Sequence, residues 1–424
     1  MPSFSVPLSG LDASSTALST IANNLANLNT IGYKDQLVQF ADLFYQNLGS
    51  DGAGDPIQQG AGVKVGSQPS NFTQGDVTAT GIATDVAING NGFFIVEQNG
   101  VQKYTRAGDF EVGQNKLLET AAGQTVLGYQ AVNGVVDATK GLGTLSLGAG
   151  TTSPAGPTHN ISVTTNLDAL DQVGDVYSSQ ATLYDSLGAP HQLTFTYTKT
   201  GTNTWSYQLS IPSADLLAVN GQAQTGILST GSLAFDGNGN LLSDTIGSGT
   251  PNSPPVDITG IAITGFADGA SDQTFNWNVL SGKTGVITQL ASADSTALIE
   301  QDGTSSGTLQ DFSIDSDGTI TGSFSNGTTA ILGQIALASF AAQQGLSRNG
   351  ENDFTPTLAS GEATVGAPTT GGLGSISGGA LEQSNVDIAG EFASLIIAQR
   401  SYEANARVVT TFDQVAQDTI NLKQ

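Results

Sequence analysis

Apolar residues recur every seven positions at each end of this chain, and that spacing limits its fold more than any other feature. Phe4, Leu11, Leu18 and Leu25 fall seven apart, and Ile21 and Leu28 sit three residues after two of them. This is the narrow apolar seam of an amphipathic helix. Asn23, Asn24, Asn27 and Asn29 lower its intrinsic propensity, and Gly32 supplies a stop. At the other end Ile388, Leu395, Tyr402 and Val409 fall seven apart, with Phe392 and Ala406 beside them. Ser384 reads as an N-cap, with Asp387 where a capping-box acid stands. No Pro or Gly interrupts the chain from Glu391 to Gln424. The spacing therefore predicts a helix of roughly 35 residues, about 50 Å long, which suits a coiled coil. Neither helix can bury its stripe alone, and one of ~25 residues rich in Asn and Ser is marginal in water. Either the ends pair with each other or with other copies, or both lie as surface helices on the middle of the chain. Composition leaves both open.

The middle reads as β. The chain is 38% hydrophobic but only 12% charged, with 54 glycines among its 424 residues, so short strands and tight turns should dominate. Val86-Ala-Ile, Asn89-Gly-Asn-Gly92 and Phe93-Phe-Ile-Val96 give strand, turn, strand. Leu193 to Tyr197 alternates, and Trp205 to Leu209 follows as a hairpin partner. Asp236-Gly-Asn-Gly-Asn240 and Asp315-Ser-Asp-Gly318 are hairpin turns. Composition shifts near Gly148 to Pro157 and Gly247 to Pro255 mark boundaries, as if one β module were inserted in another. The stretch 366–379 reads as a flexible linker.

Charge and composition exclude several functions. The net charge of −25 leaves no basic stripe for nucleic acid and disfavours anionic membrane surfaces. No apolar run approaches the ~18 residues of a membrane span. Residues 1–10 lack a basic n-region and an apolar h-region, so no conventional signal peptide is expected. There is no cysteine, hence no disulfide or thiolate site, and only two histidines, His159 and His191.

Short motifs give no case for an enzyme. Gly303-Thr-Ser-Ser-Gly307 matches a nucleophile elbow, but both histidines precede Ser305 and the flanks read as loop. Asp236 to Asn240 begins like a calcium loop, yet Leu241 replaces the required Gly and Gly247 the bidentate Glu. Asp315-Ser-Asp317-Gly has no later ligand set. Gly141-Leu-Gly143 and Gly60-Ala-Gly62 lack the third glycine of a dinucleotide fingerprint. No catalytic residue, cofactor or metal is expected.

Asn23-Asn24-Leu-Ala-Asn27-Leu-Asn-Thr30-Ile-Gly32-Tyr33-Lys34 resembles the signature of the flagellar rod and hook axial proteins. Leu28 stands where a small residue is common. Leu381-Glu-Gln-Ser-Asn-Val-Asp387 and Ala398-Gln399-Arg400-Ser-Tyr402-Glu403-Ala-Asn405-Ala-Arg407 resemble the C-terminal motif of that family, with Glu403 where Gln is common. Asn89-Gly-Asn-Gly-Phe-Phe94 and Tyr104-Thr-Arg-Ala-Gly-Asp-Phe110 are shared by rod and hook proteins. Leu183-Tyr-Asp-Ser-Leu-Gly188 and Phe312 through Phe340 and Leu346 resemble the hook group.

The resemblance implies a mainly β chain of nested domains with long terminal helices that form a coiled-coil inner domain. The implied boundaries are 1–30 and 383–424 for the helices, 31–75 for a linker or extended segment, and 76–150 with 292–365 for a split β domain. An outer β domain would occupy 151–291 and a linker 366–382. The implied function is a non-enzymatic subunit of a curved, flexible extracellular tube. Its partners would be its own copies, a distal rod protein, a hook cap, a hook–filament junction protein and the flagellar type III export apparatus. A distal rod or other axial component is the nearest alternative, and a secreted β-rich adhesin or hydrolase the other.

Three residue sets carry these expectations. Leu11, Leu18, Ile21, Leu25, Leu28, Ile388, Phe392, Leu395, Tyr402 and Val409 are the inner-helix polymer interface. Asn24, Asn27, Thr30, Gly32, Tyr33, Lys34, Gln399, Arg400, Tyr402 and Asn405 carry the family signature. Phe40 and Phe44, in Phe-Ala-Asp-Leu-Phe, resemble the short element that flagellar subunits present to the export gate. The other reading of that pair is one face of a helical turn filling a local core.

Overall fold

The computed structural model describes residues 5–421 except 51–55, 133, 148–150, 219–221 and 283. It is mainly β, with one α-helix at each end: α1 (Ser5–Ala26) and α2 (Ile388–Asn421). The expected Phe4 lies outside the described residues. The chain forms two compact units. The first comprises Met1–Ala149, Asp311–Gly322 and Ala330–Gln424, and the second Gly150–Gln310 and Ser323–Thr329.

In the first unit the apolar run Phe93–Gln98 is the central strand. It pairs with Val101–Thr105 on one side and with Thr125–Val132 and Leu337–Ser339 on the other. Alternate side chains leave a strand on opposite faces. Phe94 and Val96 accordingly enter one apolar cluster with Phe110, Leu118 and Ile335, while Phe93 and Ile95 enter another with Tyr104, Phe340 and Phe354. Both faces are covered, which explains four consecutive apolar residues.

The second unit is a β-sandwich. A five-stranded antiparallel meander runs from Val176–Tyr184 through Pro190–Gly201, Thr204–Ser210 and Ile227–Phe235 to Leu241–Ile246. A second five-stranded sheet is built around Asn160–Asp168. Their inner faces share one core in which Trp277 lies 5.0 Å from Phe195 and 5.1 Å from Tyr207, ring centre to ring centre. The Trp205 indole N–H donates across to Gln289 Oε1 at 2.9 Å. The hairpin expected between Leu193–Tyr197 and Trp205–Leu209 forms, with Tyr197 opposite Tyr207. Asp236 Oδ1 accepts from the backbone N–H groups of Asn238 and Asn240, closing the turn with its own side chain. These bonds hold its carboxyl below the usual range.

Four expectations need correction. The strand Ser295–Gln301 pairs along Asn160–Asp168, so the second unit runs well past residue 291. The stretch 366–379 is not a free linker: Ser375–Gly378 pairs with Val86–Asn89 and Ala380–Glu382 with Val77–Ala79. Glycine there serves close approach, since a Cβ on Gly374 would meet the Asn89 carbonyl oxygen at 2.3 Å. Segment 31–75 is extended, but as paired strands and not as a linker: Gln39–Asp42 pairs with Val63–Ser67 and Gln46–Ser50 with Pro56–Gln59. Finally, α2 is capped by Asp387, whose Oδ1 accepts from Ala389 N at 3.0 Å, and not by Ser384.

Candidate assembly region at the base of the terminal helices

The two helices run antiparallel within the first unit. Asn24 of α1 bonds to Glu391 at the start of α2, and Gly10 faces Asn405 two-fifths of the way further along. A Cβ on Gly10 would lie 2.8 Å from the Asn405 amide, so the glycine admits that side chain against the helix backbone. Leu11, Leu18, Ile21, Leu25 and Leu28 are half-buried, as are Leu395 and Val409, while Ala398 is buried. Ile388, Phe392 and Tyr402 are exposed in the single chain. The inward face of α2 runs instead through Glu391, Leu395, Ala398, Asn405, Val409 and Phe412. Ile388, Leu395, Tyr402 and Val409 share one seven-residue step, yet only Leu395 and Val409 are half-buried, so the step gives the stripe but not how far α1 covers each side chain along it.

Below the helices the N-terminal signature folds into a polar lock. Asn24 is 1% exposed and uses its full hydrogen-bonding capacity. Its Oδ1 accepts from Gln36 N at 3.0 Å and from the Tyr33 hydroxyl at 3.1 Å. Its Nδ2 donates to Gln36 O at 2.9 Å and Glu391 Oε1 at 2.8 Å. An amide offers two donors and two lone pairs, so nothing is left over. Asn27 Nδ2 donates back to Asn23 O, and Thr30 Oγ1 donates to Asn27 Oδ1, closing the end of α1. Gly32 has φ +66°, and a Cβ there would lie 2.5 Å from the Arg106–Ala107 peptide. Its N–H donates to Glu382 O at 2.8 Å.

Glu382 is the centre of the lock. Its buried carboxylate takes Lys34 Nζ at 2.6 Å, Arg106 Nη1 at 3.2 Å and the Gly75 N–H at 2.9 Å. Lys34 also donates to Thr73 O and Arg106 to Gly90 O. Burial lowers the pKa of both Lys34 and Arg106, and Glu382 opposes that shift in each. Arg348 adds a second tie. It donates to Lys34 O and, at 3.0 Å, to Ser70 Oγ, with its guanidinium 5.1 Å from the Tyr33 ring centre and 5.6 Å from that of Phe354. Asn385 Oδ1 accepts from Asp35 N, and Asn385 Nδ2 donates to Asn71 O.

The sequence sets missed Glu382, Arg106, Arg348 and Asn385 as site residues. A usable signal was scarcity: with only 12 Lys and Arg in the chain, a cation inside an apolar run such as Tyr104 to Phe110 has to find a specific partner. On α2, Gln399, Arg400 and Tyr402 are exposed, so the 398–407 part of the C-terminal signature takes no part in the lock, whereas its 381–387 part supplies Glu382 and Asn385. Phe40 and Phe44 are 50% and 93% exposed, and Phe40 lies in a strand, so the helical-turn core reading fails. The Gly303–Gly307 motif joins two strands, with no helix after Ser305.

Four family models match: "Flagella basal body rod protein" over residues 5–34, "Flagellar hook protein FlgE/F/G D1 domain" over 87–170, "Flagellar basal body protein FlaE D2 domain" over 149–304 and "Flagellar basal body rod FlgEFG protein C-terminal" over 377–422. The flagellar hook protein FlgE of Escherichia coli K12 is 33% identical over 434 residues, 99% of this chain and 100% of its own length. That of Salmonella typhimurium is 35% identical over 435 residues, with the same coverage. That of Borreliella burgdorferi is 33% identical, covering 98% of each chain. Among solved structures, the Helicobacter pylori hook protein FlgE2 aligns at 14% identity and a TM-score of 0.44, over 70% of this chain and 98% of that one.

Proposed function

The chain belongs to the flagellar hook protein family, and from that premise we propose that its two terminal helices form the inner coiled-coil wall of a homopolymeric tube. It is a structural subunit of the bacterial flagellar hook, located in the hook and basal body. A non-enzymatic role is consistent with relatives that are hook proteins. In the proposed tube the β units form the outer layers, and copies make the principal contacts. The distal rod protein, hook cap, hook–filament junction protein and type III export apparatus are the remaining proposed partners. Phe40 and Phe44 are proposed to meet the export gate while the chain is unfolded.

The observation that carries the assembly reading is the uncovered apolar surface of α2. Ile388, Phe392 and Ile396 lie on one flank of its α1-facing side, and Ile397, Val408 and Val415 on the other; all six are exposed. Two apolar stripes beside an already filled seam are what a helix needs to touch neighbours on both sides. The lock beneath fixes where both helices leave the β unit, so each copy would present these stripes at the same angle. Bending would then consist of small shears at many weak contacts between outer units.

The test is assembly of the Ile397→Asp, Val408→Asp double variant, followed by electron microscopy. Both positions are exposed in the single chain, so its unfolding free energy should change by within about 0.5 kcal/mol per site. Tubes should be absent, because a charge would be buried at every subunit contact. Tubes of normal length and yield would refute the assignment.

A further inference from the structure

Three segments of the second unit converge on His191, which is 7% exposed at the start of the strand Pro190–Gly201. Its Nε2 lies 3.1 Å from Asp185 Oδ2 and its Nδ1 3.0 Å from Asp215 Oδ2, while Asp268 Oδ2 stands 3.7 Å from Nε2. The ring packs 4.8 Å from that of Phe266, centre to centre. Two of the carboxylates are anchored to their own loops. Asp185 Oδ1 accepts from Leu187 N and Ala189 N, and Asp268 Oδ1 from Ala270 N. The Asp215 carbonyl accepts from Ala267 N at 2.9 Å, joining the short helix Ser213–Asp215 to the loop that carries Asp268.

Ionised carboxylates can only accept. A neutral imidazole has a single N–H and can satisfy one of the two. Hydrogen-bond distances at both ring nitrogens therefore fit the doubly protonated ring. Asp185, Asp215 and Asp268 are the charged groups around it. Asp272, in the same loop as Asp268, turns its carboxylate to Gly265 N. Among the described residues no Lys or Arg forms an ion pair with any of the four. Asp185, His191 and Asp268 could also converge on a metal ion, but the 3.0 Å contact of Nδ1 with Asp215 Oδ2 lies outside that set.

We propose that His191 is a charged rivet: its imidazolium pins the 185–190 turn, the Ser213–Asp215 turn and the 264–270 loop together, and its deprotonation releases them. The direction of the pH dependence follows from the shifts. Burial opposes the charged ring, but the bonds to Asp215 and Asp185 outweigh it and raise the His191 pKa. The stabilisation is thus complete below the unfolded value near 6.5 and is lost as pH rises through the folded pKa. Burial likewise opposes ionised Asp185, yet its bonds to His191 and to the backbone N–H groups of Ala189 and Leu187 lower its pKa. That contribution is present above ~3.9 and is lost as pH falls through the folded value. Loss of the proton would leave three carboxylates facing one another, so the loops should part on the alkaline side.

The chain has only two histidines, so the His191→Gln variant assigns the ring signals. In full-length protein labelled with 15N-histidine, the His191 ring should carry protons on both nitrogens at pH 7 and titrate above the ordinary imidazole value of ~6.5. Hydrogen exchange in peptides covering 185–191 and 264–272, corrected for the intrinsic rate, should accelerate about tenfold for each pH unit between ~6.5 and the His191 midpoint and level off above it. His191→Gln should exchange fast at all pH values without that step. A singly protonated His191 ring at pH 7, or a midpoint at or below ~6.5, would overturn the proposal. So would a His191 15N shift that appears with equimolar zinc and vanishes with EDTA, since a metal would then be the occupant.

Discussion

Replacing Glu382 with Gln tests whether the buried lock holds the first unit together. The carboxylate faces two cations whose side chains are 0% and 2% exposed, at 2.6 and 3.2 Å. Gln keeps the shape and one acceptor, which can still serve Lys34 or the Gly75 N–H. Its amide nitrogen must then face a donor, either Lys34 Nζ or Arg106 Nη1. At an effective dielectric of about 20, each pair at about 3 Å is worth roughly 5 kcal/mol before desolvation. The cations were desolvated to form the pairs, and in the variant that cost stays without its compensation. Breaking a buried pair from one side costs about 3–5 kcal/mol. With a urea slope near 3 kcal/mol/M, the midpoint of the first unit should fall by about 1–2 M.

The assay has a control within the molecule. Both tryptophans, Trp205 and Trp277, lie in the second unit. Tryptophan fluorescence should therefore follow the second unit and stay where it is. Hydrogen exchange at the strands Val77–Ala79 and Ala380–Glu382, which pair beside the lock, should follow the first unit and move. A Glu382→Gln midpoint within 0.3 M of wild type at those strands would refute the reasoning, because two cations would then be buried without cost.

Gly32→Ala should destabilise the same unit by at least about 2 kcal/mol, since the left-handed backbone disfavours a side chain and the added methyl meets the Arg106–Ala107 peptide; urea melts check it, and an unchanged midpoint would contradict the close approach. The Phe40→Ala, Phe44→Ala double variant should melt within about 1 kcal/mol of wild type, because neither ring is buried. If the pair meets the export gate, that variant accumulates inside cells, and normal secretion would rule the role out.

Local sequence determined a good deal of this protein. The two terminal helices, the Asp236 and Asp315 turns and the meander around Leu193–Leu209 follow from periodicities and turn residues that act within about ten residues of themselves. Composition alone removed thiol chemistry and any basic surface. The tertiary structure decided what depends on closure between distant segments. The seven-residue step announces a stripe on α2, but only the position of α1 decides that Leu395, Ala398 and Val409 are covered while Ile388 and Phe392 stay exposed. Glu382 and Lys34 are 348 positions apart, and no local pattern joins them. Both are charged residues that sequence reasoning assigns to solvent. They are buried because pairing of Ala380–Glu382 with Val77–Ala79 brings the carboxylate to the turn that follows α1. His191 follows the same rule, since its three carboxylates come from loops that meet only once the second unit has folded.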